Sequence, residues 1–365
     1  MNFPTDLKSI LHRMEQIDPP AYGRSRNYLD GTVTYLSPYL SRGVLSTDQV
    51  VQSIKAKGFK WEESEKLIQE LAWRDYFQLV WARKKKLIEQ DLLREQAPVL
   101  HHEIPQAIVN AETGISAIDQ GIQTLYKTGY LHNHLRMYIA SICCNLAHSH
   151  WHHPAKWLYY QLLDGDLASN HLSWQWVSGT FSKKKYYANQ ENINRFCNTD
   201  QKDTFLDCSY EELPEREIPE ALKPTVKFDL KTTLPEFPLP SLTNEKTLIY
   251  NYYNLDPYWE EKESVQRILL LEPSHFNLYP VANRNIEWVI EFAQKNLAGI
   301  KIVVGEFAVL QQSIDITKLF FKSHPLSSHY LGNAVSRTWL TPVEGDFPSF
   351  FAYWKKAKKW LQKEY

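Results

Sequence analysis

The segment LLDGDLASNHLSWQWVSGTF, residues 162–181, compresses Asp164, Asp166, Asn170, Trp174 and Trp176 into thirteen positions. Two acids two apart around Gly165 suit a loop that turns its carboxylates inward, and a buried carboxylate needs a cationic or hydrogen-bonding partner. Arg136, in HNHLRMY, is the natural candidate. Each piece also has a plainer reading, Asp-Gly-Asp as a turn and Trp-x-Trp as packing on two faces. The cluster HSHWHH (148–153) invites a metal reading, yet no carboxylate or Cys neighbours it at ligand spacing, and a loop at a helix end accounts for it equally well. No metal site is expected. Cys143, Cys144, Cys197 and Cys208 show neither metal-pair spacing nor disulfide-framework density and read as reduced thiols; an iron–sulfur cluster would need four converging thiolates.

The elements that must position these groups change character along the chain. Residues 5–200 read as helices joined by short loops, as in LKSILHRMEQI, STDQVVQSIKAKG, WEESEKLIQELAWRDYFQLVWARKKKLI and ISAIDQGIQTLYKTG, each with apolar residues at three-to-four spacing. Around 200–245 Pro recurs and the periodicity vanishes, the texture of a connection. Beyond it TLIYNYY, RILLLEP, IKIVVGE and TKLFFKS are short apolar strand runs, with the helical NIEWVIEFAQKNL between the second and third. Strands alternating with a helix imply a mostly parallel sheet. FPSFFAYWKKAKKWLQ closes the chain as an amphipathic helix with basic residues on its exposed face. The expected domains are a helical one at 1–205, a linker at 206–245 and an α/β one at 246–365. No phosphate loop or Gly-rich dinucleotide turn occurs among the 13 Gly of the 365 residues.

With a net charge of −1 the whole molecule does not bind polyanions through a bulk field. Any DNA contact must be a local patch, for which Arg24, Arg26, the run Lys183, Lys184 and Lys185, and Arg195 are available, although a charge run is also an ordinary solvated face. No apolar stretch approaches the roughly 18 residues of a membrane span. MNFPTDLKSI lacks the basic-then-apolar pattern of a signal peptide; a cytoplasmic location, no membrane contact and a monomer are expected.

Four segments in order, RNYLDGTVTYLSPYLSRGVLS (26–46), QELAWRDYF (69–77), TGYLHNHLRMYIAS (128–141) and LLDGDLASNHLSWQW (162–176), resemble the flavin domain of the photolyase/cryptochrome family. The resemblance runs from about residue 5 to residue 197, over half the chain. It implies FAD as cofactor, with Tyr22 and Thr34, Tyr35, Leu36 and Ser37 holding the phosphates, and Arg74 approaching the same cofactor. Val33 stands where the family has a small hydroxyl residue. By the same resemblance Arg136 pairs with Asp164 beside the flavin ring, Asp166 lies near its polar edge and Asn170 faces N5. Trp174 and Trp151 match the inner and middle members of the family's electron-transfer chain; the outer Trp is missing, the chain reading APVLHH there. Tyr126, Tyr159 and Trp157 are unranked substitutes, Trp157 reading better as core.

The substrate side of the resemblance implies a pyrimidine-dimer pocket. Glu70, Trp73, Asn133, Met137 and Trp176 match the five residues of the family's cyclobutane-dimer enzymes, and the two His that (6-4) enzymes place at 133 and 137 are absent. Glu70 and Trp73, like Asn133 and Met137, are about one helical turn apart and can share a face. Arg26 matches a DNA-facing Arg, His134 stands where an Arg usually contacts phosphate, and Lys183 and Lys184 could do so too. The implied activity is that of a deoxyribodipyrimidine photo-lyase, a carbon–carbon lyase acting on UV-damaged single- or double-stranded DNA; the alternative is a cryptochrome-like photoreceptor that binds FAD without repair. A non-photochemical helical protein fits the Trp151–Trp174 match less well. The α/β part resembles, more weakly, the domain that most family members carry in front, so the chain reads as circularly permuted; an antenna chromophore is not legible.

Overall fold

The computed structural model describes residues 2–365. Helices come first: α1 (Leu7–Glu15), α2 (Pro19–Ser25), α3 (Ser37–Ser41), α4 (Thr47–Ala56) and α5 (Trp61–Lys84). A two-residue strand β1 (Ile104–Pro105) precedes α6 (Gln106–Asn110), α7 (Ser116–Thr128), α8 (Asn133–Ser141), α9 (His152–Gln161), α10 (Leu167–Ser178) and α11 (Gln190–Cys197). After β2 (Thr225–Val226) come β3 (Thr247–Tyr250), β4 (Gln266–Leu271), α12 (Pro273–Leu278), α13 (Asn283–Asn296), β5 (Lys301–Val304), α14 (Ala308–Gln311), β6 (Leu319–Lys322), β7 (Asn333–Val335) and α15 (Phe350–Glu364). The fold is thus a mostly helical N-terminal region and then an α/β part, the class that periodicity predicts.

By compactness the chain divides into two units, each made of separate stretches. A sheet unit comprises Met1–Pro19, Thr34–Ala82 and Lys231–Tyr365; a helical unit comprises Pro20–Val33 and Arg83–Leu230.

In the helical unit, α7 and α8 bury Ile118, Ile122, Leu125, Leu135 and Ile139 in one core with Trp151 and Leu158. Gly129 ends α7 in the left-handed region at φ +71°, a conformation a Cβ disfavours. Past Ser141 the helix widens into a π segment, Ile142–Leu146, whose five residues are all buried, and the Ala147 N–H reaches the Ile142 carbonyl at 2.9 Å. The stretch read as a linker is packed at its start. Leu206, Leu213 and Leu222 join the helical core, and Val226 pairs antiparallel with Ile104. Pro and missing periodicity signal irregular backbone, not an unpacked one.

In the sheet unit the strands run parallel in the order β5-β4-β3-β6-β7, Leu248 lying against Arg267 and Phe320. Every residue of β3 and β4 is buried, as expected where both faces of a parallel sheet are covered. The four apolar runs all form strands. The fifth, β7, is an edge strand of three residues with two exposed, too short and polar to announce itself. Helix α15 packs along α5: Trp354 stacks on Trp61, Lys358 pairs with Glu65 at 2.5 Å, and the Tyr365 hydroxyl donates to the Phe59 carbonyl at 3.0 Å. Asp75 of α5 is fully buried and accepts from the Thr47 hydroxyl at 3.0 Å and the Leu340 N–H at 2.7 Å; burial raises its pKa.

Candidate functional site

The candidate residues fall in both units. In the helical unit, Arg136 projects from α8, its Nε donating to the Leu131 carbonyl at 2.8 Å. Its Nη2 lies against both oxygens of Asp164, at 3.0 and 2.8 Å. The Asp164 side chain is 3% exposed and that of Arg136 23%, so the pair satisfies the charge balance that burial requires. Asp166 is the N-cap of α10 and accepts from the Ser169 N–H at 2.8 Å. The Ser169 hydroxyl is buried with no hydrogen-bond partner among the described residues. Asn170 donates through Nδ2 to the Ala155 carbonyl at 2.9 Å.

The indoles of Trp151 and Trp174 are buried. Trp151 Nε1 donates to Asp91 Oδ1 at 2.6 Å, and its N–H to Gln96 Oε1 at 2.9 Å. His171, fully buried on α10, stands edge-on to Trp151 at 5.5 Å. Desolvation holds the His171 pKa well below the ordinary value and lowers those of His152 and His132 to about 4. Trp157, Tyr159 and Tyr126 pack into the interior; the Tyr126 hydroxyl donates to the Val109 carbonyl at 2.6 Å.

Among the candidate substrate and DNA contacts, Trp176 is 38% exposed on a mostly buried helix, its ring 5.7 Å from that of Tyr186. Lys183 and Lys184 are exposed in the following turn, which the Ser182 hydroxyl ties to the Trp176 carbonyl at 2.9 Å. Asn133 and Met137 lie one turn apart on α8, Asn133 Nδ2 4.0 Å from Met137 Sδ. His134 bonds through Nδ1 to the Asn27 carbonyl at 2.6 Å and packs against Phe196 and Tyr138. Desolvation and then the nearby Arg26 charge lower its pKa, which leaves it a neutral ring at pH 7 and a poor substitute for an arginine at phosphate. Arg26 lies over the Tyr22 ring at 5.9 Å.

In the sheet unit, Tyr35 has φ +52° and Leu36 follows in the αR region. Such an alternation of handedness turns successive N–H groups toward one point, a concavity suited to an anion. Thr34 Oγ1 accepts from the Leu36 N–H at 3.3 Å, and Ser37 opens α3. Arg74 reaches the end of that helix, donating to Ser41 Oγ and the Leu40 carbonyl at 3.2 Å each. On the same α5, Glu70 pairs with Lys66 at 3.3 Å. Trp73 is stacked face to face on Phe350 of α15, at 3.7 Å and 11°, so one face of its ring is already covered.

Among the described residues no group of three or more His, Cys, Asp or Glu could hold a metal ion. Sequence spacing alone misses the acids near the histidines: Asp91 lies 3.2 Å from His150 and Glu89 4.0 Å from His152. Both come from a stretch about 60 residues upstream. The four cysteines are free. In the helical unit the Arg136–Asp164 pair and the orphaned Ser169 hydroxyl are hydrogen-bonding groups of the kind that fit a flavin ring edge; in the sheet unit the loop at Tyr35 offers backbone amides of the kind that fit a phosphate.

The family described as the FAD binding domain of DNA photolyase matches residues 67–225. The deoxyribodipyrimidine photo-lyase of Vibrio cholerae is 32% identical over 168 residues, which are 44% of this chain and 36% of that protein. Cryptochrome-1 of Arabidopsis thaliana is 27% identical over 184 residues, 47% of this chain and 27% of that protein. The chain thus spans between 27% and 36% of the length of these two curated relatives. A Synechocystis cryptochrome structure shares the fold over 54% of this chain and 44% of its own, with a TM-score of 0.50 and 24% identity.

Proposed function

We propose that the chain, whose residues 67–225 match the FAD binding domain of DNA photolyase, is a member of the photolyase/cryptochrome family and a light-driven DNA repair enzyme splitting cyclobutane pyrimidine dimers. The observation that carries the proposal is Trp176, a large indole left 38% exposed beside Tyr186, with Lys183 and Lys184 in the next turn. An exposed ring flanked by cations is the arrangement on which an unstacked base pair is received and its phosphates neutralised. Asn133 and Met137 offer, from one helix face, a polar group for a base edge and a soft apolar contact. By the family resemblance, Glu70 and Trp73 of α5 would supply the carboxylate and the second ring that such a substrate needs.

FAD, when bound and reduced, supplies the photon-driven electron that cleaves the dimer. Thr34, Tyr35, Leu36 and Ser37, with Tyr22 and Arg74, would hold its phosphates; Arg136, Asp164, Asp166 and Asn170 would fix the ring. Arg136 pairs with the buried Asp164 carboxylate and offsets the cost of burying it. Trp151 and Trp174 are the internal electron donors. We place the protein in the cytoplasm, acting as a monomer on damaged DNA; among the described residues no helix is long and apolar enough to cross a membrane.

One observation favours the cryptochrome-like reading, a photoreceptor that holds FAD without repair: Phe350 already occupies one face of Trp73. The deciding experiment records the flavin spectrum of the purified protein and follows loss of cyclobutane dimers from single- and double-stranded DNA under blue light. Repair that drops about tenfold or more in Trp176→Ala, with FAD still bound, supports the enzyme, since base–aromatic stacking is worth roughly 1–3 kcal/mol. Bound flavin without repair on either substrate overturns it in favour of the photoreceptor.

A further inference from the structure

Trp151 is completely buried, so a proton leaving its indole nitrogen cannot go directly to water. Among the described residues its Nε1–H has an acceptor of a particular kind, Asp91 Oδ1 at 2.6 Å. The same carboxylate is held in place from two other directions. The Gln96 N–H donates to Oδ2 at 2.7 Å, and His150 Nε2 lies 3.2 Å from Oδ1. His150 Nδ1 accepts from the His152 N–H at 3.4 Å, so the neutral ring carries its hydrogen on Nε2 and donates it to Asp91. Gln96 also fixes Trp151 itself, its Oε1 accepting the Trp151 N–H at 2.9 Å while its Nε2 donates to the Ser149 carbonyl at 2.7 Å. Donor and acceptor are therefore both locked before any reaction.

We propose that Asp91 is the proton acceptor of Trp151 during photoreduction, a role that rests on the reading of Trp151 as an electron donor to the flavin. An indole that loses one electron becomes a much stronger N–H acid, and a pre-formed short hydrogen bond to a carboxylate lets the proton move without rearrangement. In the step, Trp151 is oxidised by one electron, which passes by way of Trp174 to photoexcited oxidised flavin, the oxidant. The Nε1–H bond breaks, an Oδ1–H bond forms on Asp91, and Trp151 is left as a neutral radical. With the proton on Asp91, return of the electron must wait for the proton, so the charge separation persists. That trap substitutes for the outer Trp the chain lacks, since the hole no longer has to reach the surface to be stabilised.

The test compares the wild type with Asp91→Asn, Asp91→Glu and Trp151→Phe, all loaded with FAD and followed by flash absorption in H₂O and D₂O. In the wild type the tryptophan signal develops into that of the neutral radical, with a solvent isotope effect on its rise. In Asp91→Asn, which keeps an oxygen acceptor of almost no basicity, the signal stays that of the radical cation and decays about tenfold faster or more, one pKa unit being a factor of ten in proton population. Asp91→Glu restores the neutral radical. Ultraviolet resonance Raman of the FAD-free protein reads the ground-state bond separately: the indole N–H band lost in Trp151→Phe is the one shifted in Asp91→Asn. A neutral radical formed as fast in Asp91→Asn as in the wild type overturns the role of Asp91 and leaves Trp151 a donor. Unchanged radical yield in Trp151→Phe overturns the donor reading itself.

Discussion

At Asp164 a single guanidinium nitrogen serves both carboxylate oxygens while the Arg136 Nε serves a backbone carbonyl. Removing the cation takes the ion pair from a carboxylate with 3% of its side chain exposed. Arg136→Ala should therefore cost about 3 kcal/mol, at the low end for a broken buried pair because the arginine is itself part-exposed; urea unfolding at pH 7 checks it. Trp176→Ala removes a ring whose outer part already meets water, and should change stability by less than about 1 kcal/mol on the same assay. A loss of repair in that variant then reports on contact with DNA rather than on folding.

The helices that carry these residues are set by capping as much as by packing. Substitution separates the capping role of Asp166 from its proposed contact with the flavin ring. Asp166→Ala loses the bond to the Ser169 N–H and should destabilise by about 1 kcal/mol. Asp166→Asn keeps a capping oxygen and should leave the melting temperature nearly unchanged, while FAD affinity, measured by fluorescence titration, falls if the charge meets the ring. Helix α4 carries a full capping box, Ser46 with Gln49, and its start could be read from STDQ directly. The Arg136–Asp164 pair was legible for a similar reason, because a buried acid demands a cation and HNHLRMY presents one. Other contacts left no local trace. Asp91 meets Trp151 across 60 residues, and DLLREQAPVLHH has no periodicity to place it. The stacking of Phe350 on Trp73 joins helices near opposite ends of the chain. Strand β7 pairs through backbone groups, which any sequence supplies.

Across the whole molecule, buried histidines tie stability to pH. His132 and His152 have pKa values lowered from 6.5 to about 4, His275 to about 3, and His171 lies well below the ordinary value, desolvation being the first cause in each. Folded, these rings are neutral; unfolded, they take up protons near pH 6.5. The unfolded chain thus binds more protons below that pH, so stability is full above about 6.5 and is lost as the pH falls toward 4. Each histidine contributes up to about 1.4 kcal/mol per pH unit. Denaturant midpoints at pH 7 and pH 5 should differ clearly, and His171→Gln should narrow the gap.

The discontinuity of the two units also limits how the chain can be cut. A fragment ending at residue 205 loses Leu206, Leu213 and Leu222 from the helical core and strips Phe350, Tyr353 and Trp354 from Trp73, Tyr76 and Trp61. The aromatic surface so uncovered is of the kind that drives aggregation. The part that resembles a flavin domain is, in this chain, not severable from the residues that follow it.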